Sequence, residues 1–373
     1  MRIVKLNEIG KIITGCTPLT KKQEYYNSDD YMFIGPSDIK NEMYVTSSAK
    51  KVSKKAFEDY KSRFIKANSI VVDCIGSDMG NVAIVKSLCL TNQQLNAITD
   101  VDKSKFNIQY IYYILSTMKE YFHLIGTNGS TMPILNKTIF ENIEIKVPNI
   151  EVQNKIATIL SKIDDKIKLN TKINNNLYEI GSILINRFFE FDNQQEKYKE
   201  IINFKKGKKP TAITNIYQNG YKKYLTIACL IGEENNYADP NKMLITDHDI
   251  LMVMDGASSG ETYFSSDGIV SSTLSKIEII NRNYIPEYIF FTLKKYKKDI
   301  QSQTTGSAIP HTNKDIVFNL SVPKIKIKEQ LIFTTLLDII LQKNEENIKL
   351  SQLRDTLLPK LMNGEIDLDN IKI

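Results

Sequence analysis

The 373-residue chain holds few groups arranged for covalent chemistry. Its three histidines, His123, His248 and His311, are far apart in sequence. Asp247-His248-Asp249 has the composition of a metal cluster, but it precedes a β-rich run and reads as a solvated turn, so no metal ligand is assigned. No H-E-x-x-H occurs. Gly10-Lys11 is followed by Ile12 and Gly207-Lys208 by Lys209, so neither completes a G-x-x-x-x-G-K-[ST] phosphate loop. Gly76-Ser77-Asp78-Met79-Gly80 and Gly256-Ala257-Ser258-Ser259-Gly260 resemble phosphate-cradling loops. A dinucleotide site needs a helix after such a loop. Here Asn81–Val85 reads as a second strand, which makes a hairpin loop the expectation. No nucleophile–base pair stands out, so no catalytic residue is assigned.

Composition bounds the rest. With 42% hydrophobic and 25% charged residues the chain is ordinary globular material, long enough for two or three domains. Cys16, Cys74, Cys89 and Cys229 form no C-x-x-C, which fits free thiols in a reducing cytoplasm rather than a disulfide framework or zinc site. Met1-Arg2-Ile3-Val4-Lys5 is not followed by an apolar stretch of signal-peptide length, and no run reaches the ~18 apolar residues of a membrane span. A cytoplasmic protein without membrane partner is expected.

The elements that position any site come in duplicate. Gly129-Ser130-Thr131-Met132-Pro133 and Gly306-Ser307-Ala308-Ile309-Pro310 lie 177 positions apart, as do Asn136-Lys137 and Asn313-Lys314, Gln153 and Gln330, Asn170 and Asn347, and Leu184 and Leu361. Upstream, with small slips, Ile70–Gly76 faces Ile250–Gly256, and Tyr110–Leu115 faces Tyr288–Leu293. Gly15 and Pro18 face Gly207 and Pro210 and read as structural turns. A collinear series over most of both halves marks a tandem repeat. Each half opens with a mixed region of short β-rich runs and one helix, near 108–121 and 286–300. Each closes with a proline-free stretch after a Val-Pro, 150–190 and 325–363; in the second, that stretch is proline-free up to Pro359.

In the first such stretch Ile156, Ile163, Asn170, Leu177 and Leu184 recur every seven residues, with Ile159, Ile173 and Ile180 at the three-on positions and Lys166 as the exception. In the second, Leu336, Leu350 and Leu357 repeat, with Ile332, Ile339 and Leu353 beside them. About 40 residues at 1.5 Å rise give roughly 60 Å of helix, more than a small domain's diameter. The fold expected is α+β: two mixed α/β domains, 1–147 and 194–323, separated by two long antiparallel helices, 148–193 and 324–373, that form a coiled-coil rod about a pseudo-twofold axis. Asn170 and Asn347 are candidates for buried polar residues that fix helix–helix register.

In this order the motifs resemble the type I restriction-modification specificity (S) subunit family. The carrying segments are Asn68–Ile84 and Asp249–Tyr263; Gly129-Ser130-Thr131 and Gly306-Ser307-Ala308; Val147-Pro148…Gln153-Asn154-Lys155-Ile156 and Val322-Pro323…Glu329-Gln330-Leu331-Ile332; and Leu353–Ile366. Asn68-Ser69 replaces the family's Gly-Asp. The resemblance implies two target-recognition domains, each reading one half of a split double-stranded DNA target. It implies helices that set the spacer and dock two methyltransferase subunits, and motor-nuclease subunits beyond them. S-adenosylmethionine, ATP and Mg would belong to those partners; this chain would do no chemistry and hold no cofactor.

Charge agrees with that expectation. Residues 1–145 carry 18 basic and 15 acidic side chains, residues 196–325 carry 17 and 14, and the helical remainder is balanced, so the excess of +6 lies in the two heads. Lys21, Lys22, Lys208 and Lys209 are candidate phosphate contacts, with further lysine pairs at 50–51, 54–55 and 205–206. Base reading needs short hydrogen-bonding side chains on loops. The candidates are Ser77, Asp78, Asn81, Asn92, Gln93, Gln94, Asn128 and Ser130 in the first half, and Ser258, Ser259, Ser271, Ser272, Thr273, Thr305, Ser307 and His311 in the second. The same residue types also serve plain turns. Two alternatives stay open: a two-headed protein-binding adaptor without a DNA role, and the recognition subunit of a type II-like methyltransferase–nuclease system.

Overall fold

The strand-forming runs are buried on both faces, and alternate side chains enter different cores. In the computed structural model, which describes residues 1–40, 42–76, 79–126, 133–191, 194–304 and 310–366, the strand Ile70–Asp73 sends Ile70 and Val72 into one apolar cluster and Val71 into another. Ile250–Val253 does the same, with Ile250 and Met252 on one side and Leu251 and Val253 on the other. This is the period-two alternation of a strand between two packed layers.

The chain divides into two units, one of Met1–Asp165 with the residues from Ser351 on, the other of Lys166–Leu350. In the first unit a five-stranded sheet runs Lys11–Thr14, Leu95–Thr99, Ile70–Asp73, Val82–Val85, Tyr44–Val45, beside a three-stranded sheet of Lys50–Val52, Tyr31–Ile34 and Cys89–Thr91. In the second unit a four-stranded sheet runs Ile202–Lys206, Leu274–Ile279, Ile250–Val253, Thr262–Phe264. A second four-stranded sheet runs Tyr237–Ala238, Lys222–Leu225, Gly268–Val270, Ile245–Thr246. In both units the central strand pairs antiparallel with the strand that follows it, which makes the two glycine-bounded loops hairpin loops.

The one helix expected near 108–121 and near 286–300 is in each case a pair, and the mixed regions carry further short helices, Leu6–Ile9, Lys54–Tyr60 and Lys137–Glu141 in the first and Ile227–Leu230 and Lys314–Asn319 in the second. The pairs are Ile108–Ser116 and Lys119–Gly126 in the first unit, and Pro286–Lys295 and Lys297–Ser302 in the second. At the first break the Thr117 hydroxyl donates to the Ile114 carbonyl at 2.7 Å, the local bond by which threonine competes with a continuing helix.

The two proline-bounded stretches form helices of 42 and 36 residues, Ile150–Phe191 and Ile327–Met362, the latter carrying Pro359 within its last turn. The seven-residue reading needs correction in the second unit. Ile180 is exposed, and the buried positions are Asn170, Asn174, Gly181 and Ile185. Ile332 and, in the first unit, Leu353 are also exposed, while Phe333, Leu337 and Ile340 are buried. A helix of 3.6 residues per turn drifts about 20° per heptad, so its buried face moves off a strict seven-residue register. Within the second unit the helical segments run antiparallel: Asn170 Nδ2 donates to Asn347 Oδ1 at 2.9 Å, and Asn174 Nδ2 to Asn344 Oδ1 at 2.7 Å.

Gln153 and Gln330 are fully buried near the start of the two long helices. Gln153 Oε1 accepts the Asn107 amide at 2.9 Å, and its Nε2 donates to the Pro148 and Lys105 carbonyls at 2.9 and 3.0 Å. Gln330 accepts the Ile285 amide at 2.9 Å and donates to the Asn283 and Ile325 carbonyls at 2.8 and 3.0 Å. A leucine there fills similar volume and strands three backbone groups. Gln153→Leu and Gln330→Leu are each expected to lower stability by about 1–3 kcal/mol. Exposed Glu151→Ala should stay within about 0.5 kcal/mol. Urea unfolding of the three variants checks this, and equal midpoints would refute it.

Candidate nucleic-acid interface

Each unit gathers three sequence-distant loops at one end of its sheet. In the first, the Gly76 amide donates to the Pro133 carbonyl at 3.2 Å, the Leu135 amide to the Cys74 carbonyl at 2.8 Å, and the Cys74 amide to the Gln94 carbonyl at 2.9 Å. In the second, Gly256 donates to Pro310 at 3.0 Å, Thr312 to Met254 at 2.8 Å, and Met254 to Thr273 at 2.8 Å. The six bonds join equivalent positions of the repeat. They bring the hairpin loop, the turn at 92–94 or 271–273, and the chain leaving the Gly-Ser loop to one place.

Glycine makes this convergence feasible. Gly76 and Gly80 have φ of +92° and +94°, and Gly256 and Gly260 of +108° and +85°. Gly15 and Gly207 act by close approach instead. A Cβ on Gly15 would lie 2.1 Å from the Asn92 carbonyl oxygen, and one on Gly207 would lie 2.2 Å from that of Ser271.

The supports beneath the loops differ. In the first unit Asn96 is the hub. It accepts the Thr14 hydroxyl at 2.6 Å and donates to the Leu135 carbonyl and to Cys74 Sγ, both at 3.2 Å. Burial pushes the Cys74 thiol up to about 12, so it stays a protonated, packed group. In the second unit Asp255 takes the Lys206 ammonium at 3.0 Å on one oxygen and His311 Nδ1 at 2.7 Å on the other. Burial pushes the Asp255 carboxyl up, but the His311 and Lys206 bonds outweigh it and hold the group below its usual range.

The candidate contact residues distribute unevenly. Gln93 and Thr273 are exposed, while Asn92, Gln94, Ser258 and Ser272 are half-buried around the same loop ends. Gln93 Oε1 accepts the Thr17 hydroxyl at 2.5 Å, Gln94 Oε1 accepts from Asn92 Nδ2 at 2.9 Å, and Asn81 Oδ1 accepts from Lys119 at 2.9 Å. Ser259 and Ser271 correct the sequence reading. Both are buried; Ser259 Oγ donates to the Gly256 and Pro310 carbonyls at 2.7 and 2.8 Å, and Ser271 Oγ lies 3.2 Å from Thr273 Oγ1. Ser259 ties the hairpin loop to the chain leaving the Gly-Ser loop, while Ser271 bonds within its own turn. Ser77, Asp78, Asn128, Ser130, Thr305 and Ser307 lie outside the described residues.

Lys21, Lys22, Lys208 and Lys209 are exposed. Lys22 lies 3.7 Å from Glu24, whereas Lys21, Lys208 and Lys209 make no ion pair among the described residues. Other lysines are occupied: Lys51 with Asp29, Lys55 with Asp59, Lys205 with Glu278. Sequence reasoning missed Thr14, Asn96 and Asp255, and read Lys206 as half of a phosphate-contacting pair, whereas it bonds Asp255 at 3.0 Å. The repeat alignment places Ile75 opposite Asp255, and that polar-for-apolar exchange was the available signal. Among the described residues no group of three or more His, Cys, Asp or Glu is placed to hold a metal. No helix there is long and apolar enough to cross a membrane.

The family description "type I restriction modification DNA specificity domain" matches twice, at residues 1–179 and 192–352. The chain belongs to this family. It carries two such domains in tandem. Among its relatives is the type I restriction enzyme MjaIX specificity subunit of Methanocaldococcus jannaschii, 24% identical over 411 residues, covering 99% of this chain and 94% of that one. The HindI specificity subunit of Haemophilus influenzae is 30% identical over 186 residues, 49% of this chain and 39% of that protein. A crystal structure of a type I S subunit from M. genitalium superposes with a TM-score of 0.60 at 19% identity, covering 96% of this chain and 95% of that one, and establishes likeness of fold.

Gly15→Ala or Gly207→Ala in this specificity chain would drive a methyl group into a carbonyl. Each is expected to cost about 1–3 kcal/mol, the range for overpacking a closed site, and to speed exchange of the amides at 92–95 or 271–274. Hydrogen-exchange mass spectrometry reads the local effect; unchanged exchange there would show that the close approach relaxes freely.

Proposed function

We propose that this chain is the DNA-reading subunit of a type I restriction-modification complex, each head reading one half of a split double-stranded target. The observation that carries the reading is the duplicated convergence of three loops at the sheet end of each unit, in heads that also carry the exposed Lys21, Lys208 and Lys209, which make no ion pair among the described residues. One head offers Gln93, Gln94 and Asn81; the other offers Ser258, Ser272, Thr273 and His311. Lys21, Lys22, Lys208 and Lys209 would contact phosphates, which fix register without carrying sequence information.

The two long helices would form the antiparallel rod between heads, with Asn170 and Asn347 fixing its register and the domain limits falling near 147, 193 and 323. Leu169, Ile180 and Ile183 of the first long helix are exposed and lie within about 60° of each other around its axis, an apolar stripe suited to a protein partner. Two methyltransferase subunits would dock on the helices and supply the chemistry with S-adenosylmethionine. Motor-nuclease subunits would join with ATP and Mg. The chain itself would be non-catalytic and work in the cytoplasm.

Head exchange tests the reading. Replacing residues 194–323 by the matching segment of a relative, in a host that also makes the methyltransferase subunits, should change one half of the modified motif and leave the other intact. Methylome sequencing reads the result; a change in both halves defeats the modular reading.

The helices should also act as a ruler. Four residues inserted near Asn174 and four near Ser351 lengthen each helix by about 6 Å. At about 3.4 Å per base pair the preferred gap should grow by about one or two base pairs. Modification that persists at the original gap would assign the spacing to the partner subunits.

A further inference from the structure

The two heads meet their loops through one equivalent β-bridge, and the bridging side chains differ in kind. In the first head Ile75 pairs antiparallel with Ile134; in the second Asp255 pairs with His311. Ile134 and His311 stand 177 positions apart, the period of the repeat. The residue after each donates its amide to the equivalent strand-end carbonyl, Leu135 to Cys74 and Thr312 to Met254. Both side chains are open to solvent at the convergence of the three loops: Ile134 is 45% exposed and the His311 side chain 52%.

Ile134 presents an apolar side chain, 45% exposed, at this junction. His311 is not left to itself. Asp255 accepts from its Nδ1 at 2.7 Å, which fixes the ring's orientation and leaves Nε2 as the remaining hydrogen-bonding atom. The Asp255 carboxylate is in turn anchored by Lys206 at 3.0 Å. One fold position thus carries an apolar probe in one head and an oriented polar probe in the other. Base edges in the major groove differ in a related way, since thymine alone adds a methyl group to its acceptor while the other bases present donors and acceptors only.

We propose that Ile134 and His311 are equivalent specificity-determining side chains, Ile134 reading a thymine methyl in one half-site and His311 a polar base edge in the other, with Asp255 as the positioning residue of His311. This inference rests on the DNA-reading assignment above. It makes one difference between the two half-sites a consequence of a substitution at one repeated position.

The test is methylome sequencing of hosts producing the full chain with its methyltransferase subunits. His311→Ile and His311→Gln should each relax or change one base position in a single half-site, with about tenfold loss of discrimination there. Ile134→Ala and Ile134→Thr should do so in the other half-site only. Asp255→Ala, which removes the acceptor of the Nδ1 proton, should alter the same base position as the His311 variants, a readout that loss of stability alone does not move. If the unaltered complex modifies no bipartite motif, the DNA-reading assignment itself fails. If it does, and the His311 and Ile134 variants that still co-purify with the methyltransferase leave every base preference unchanged, this inference alone is overturned.

Discussion

Two buried glutamines, Gln153 and Gln330, bind each long helix to its own head. Each makes three hydrogen bonds to backbone, one to the amide at the entrance of the head's helix and two to carbonyls on either side of the junction. No other side-chain type of that length offers an acceptor and two donors at one planar tip. A buried amide left half-paired would cost as much as it contributes when fully paired. The start of each long helix is therefore joined to its own head by one fully paired side chain, beside the apolar packing of Ile156, Ala157 and Leu160 in the first unit and Phe333, Leu336 and Leu337 in the second.

The duplication is strict in such backbone-directed contacts and loose where side chains meet one another. Near the first head Tyr113 donates to Asp164 at 2.5 Å and Arg354 pairs with Asp164 at 2.9 Å. The equivalent positions in the second unit are Phe291, Leu341 and Leu177, all within or against its apolar core. A leucine facing Asp164 would leave a carboxylate, 23% exposed, with only the tyrosine hydroxyl. The helical segments of the two halves are thus chemically distinct despite sharing a pattern, which favours each pairing with its own head.

The sequence alone located the repeat, the hairpin loops and the two long helices, because each rests on local signals: a period of 177, glycines bounding a strand turn, a Val-Pro before an unbroken helical stretch. It placed Asn170 opposite Asn347 through the same period. It did not show that Ser259 and Ser271 are buried, because Ser259 is engaged by the Pro310 carbonyl 51 residues away and Ser271 bonds within a tight turn. Ile180 misled for a related reason. A seven-residue period and a 3.6-residue turn agree over one heptad and diverge over three. Asn96 and Asp255 were illegible as hubs because the strand neighbours that make them so, Thr14 and Lys206, lie 82 and 49 positions away.

Charge is the weakest part of the interface and the most revealing. A net +6 spread over 373 residues attracts DNA only modestly, and several lysines of the heads are neutralised in place by aspartate or glutamate. An interface built that way gains little from phosphate attraction alone, since each unpaired cation releases only its own share of counterions. On the DNA-reading proposal, affinity for the right sequence would come from the loop ends, where Gln93, Thr273, Ile134 and His311 stand exposed on a backbone held by buried bonds. Rigid placement matters more for such side chains than for a lysine. A base contact made at the wrong angle discriminates nothing, whereas an ammonium finds a phosphate from many directions. The close approach at Gly15 and Gly207, the serine hydroxyl at 259 and the Asn96 and Asp255 hubs all serve that placement, which is why so many polar groups near the loops face inward.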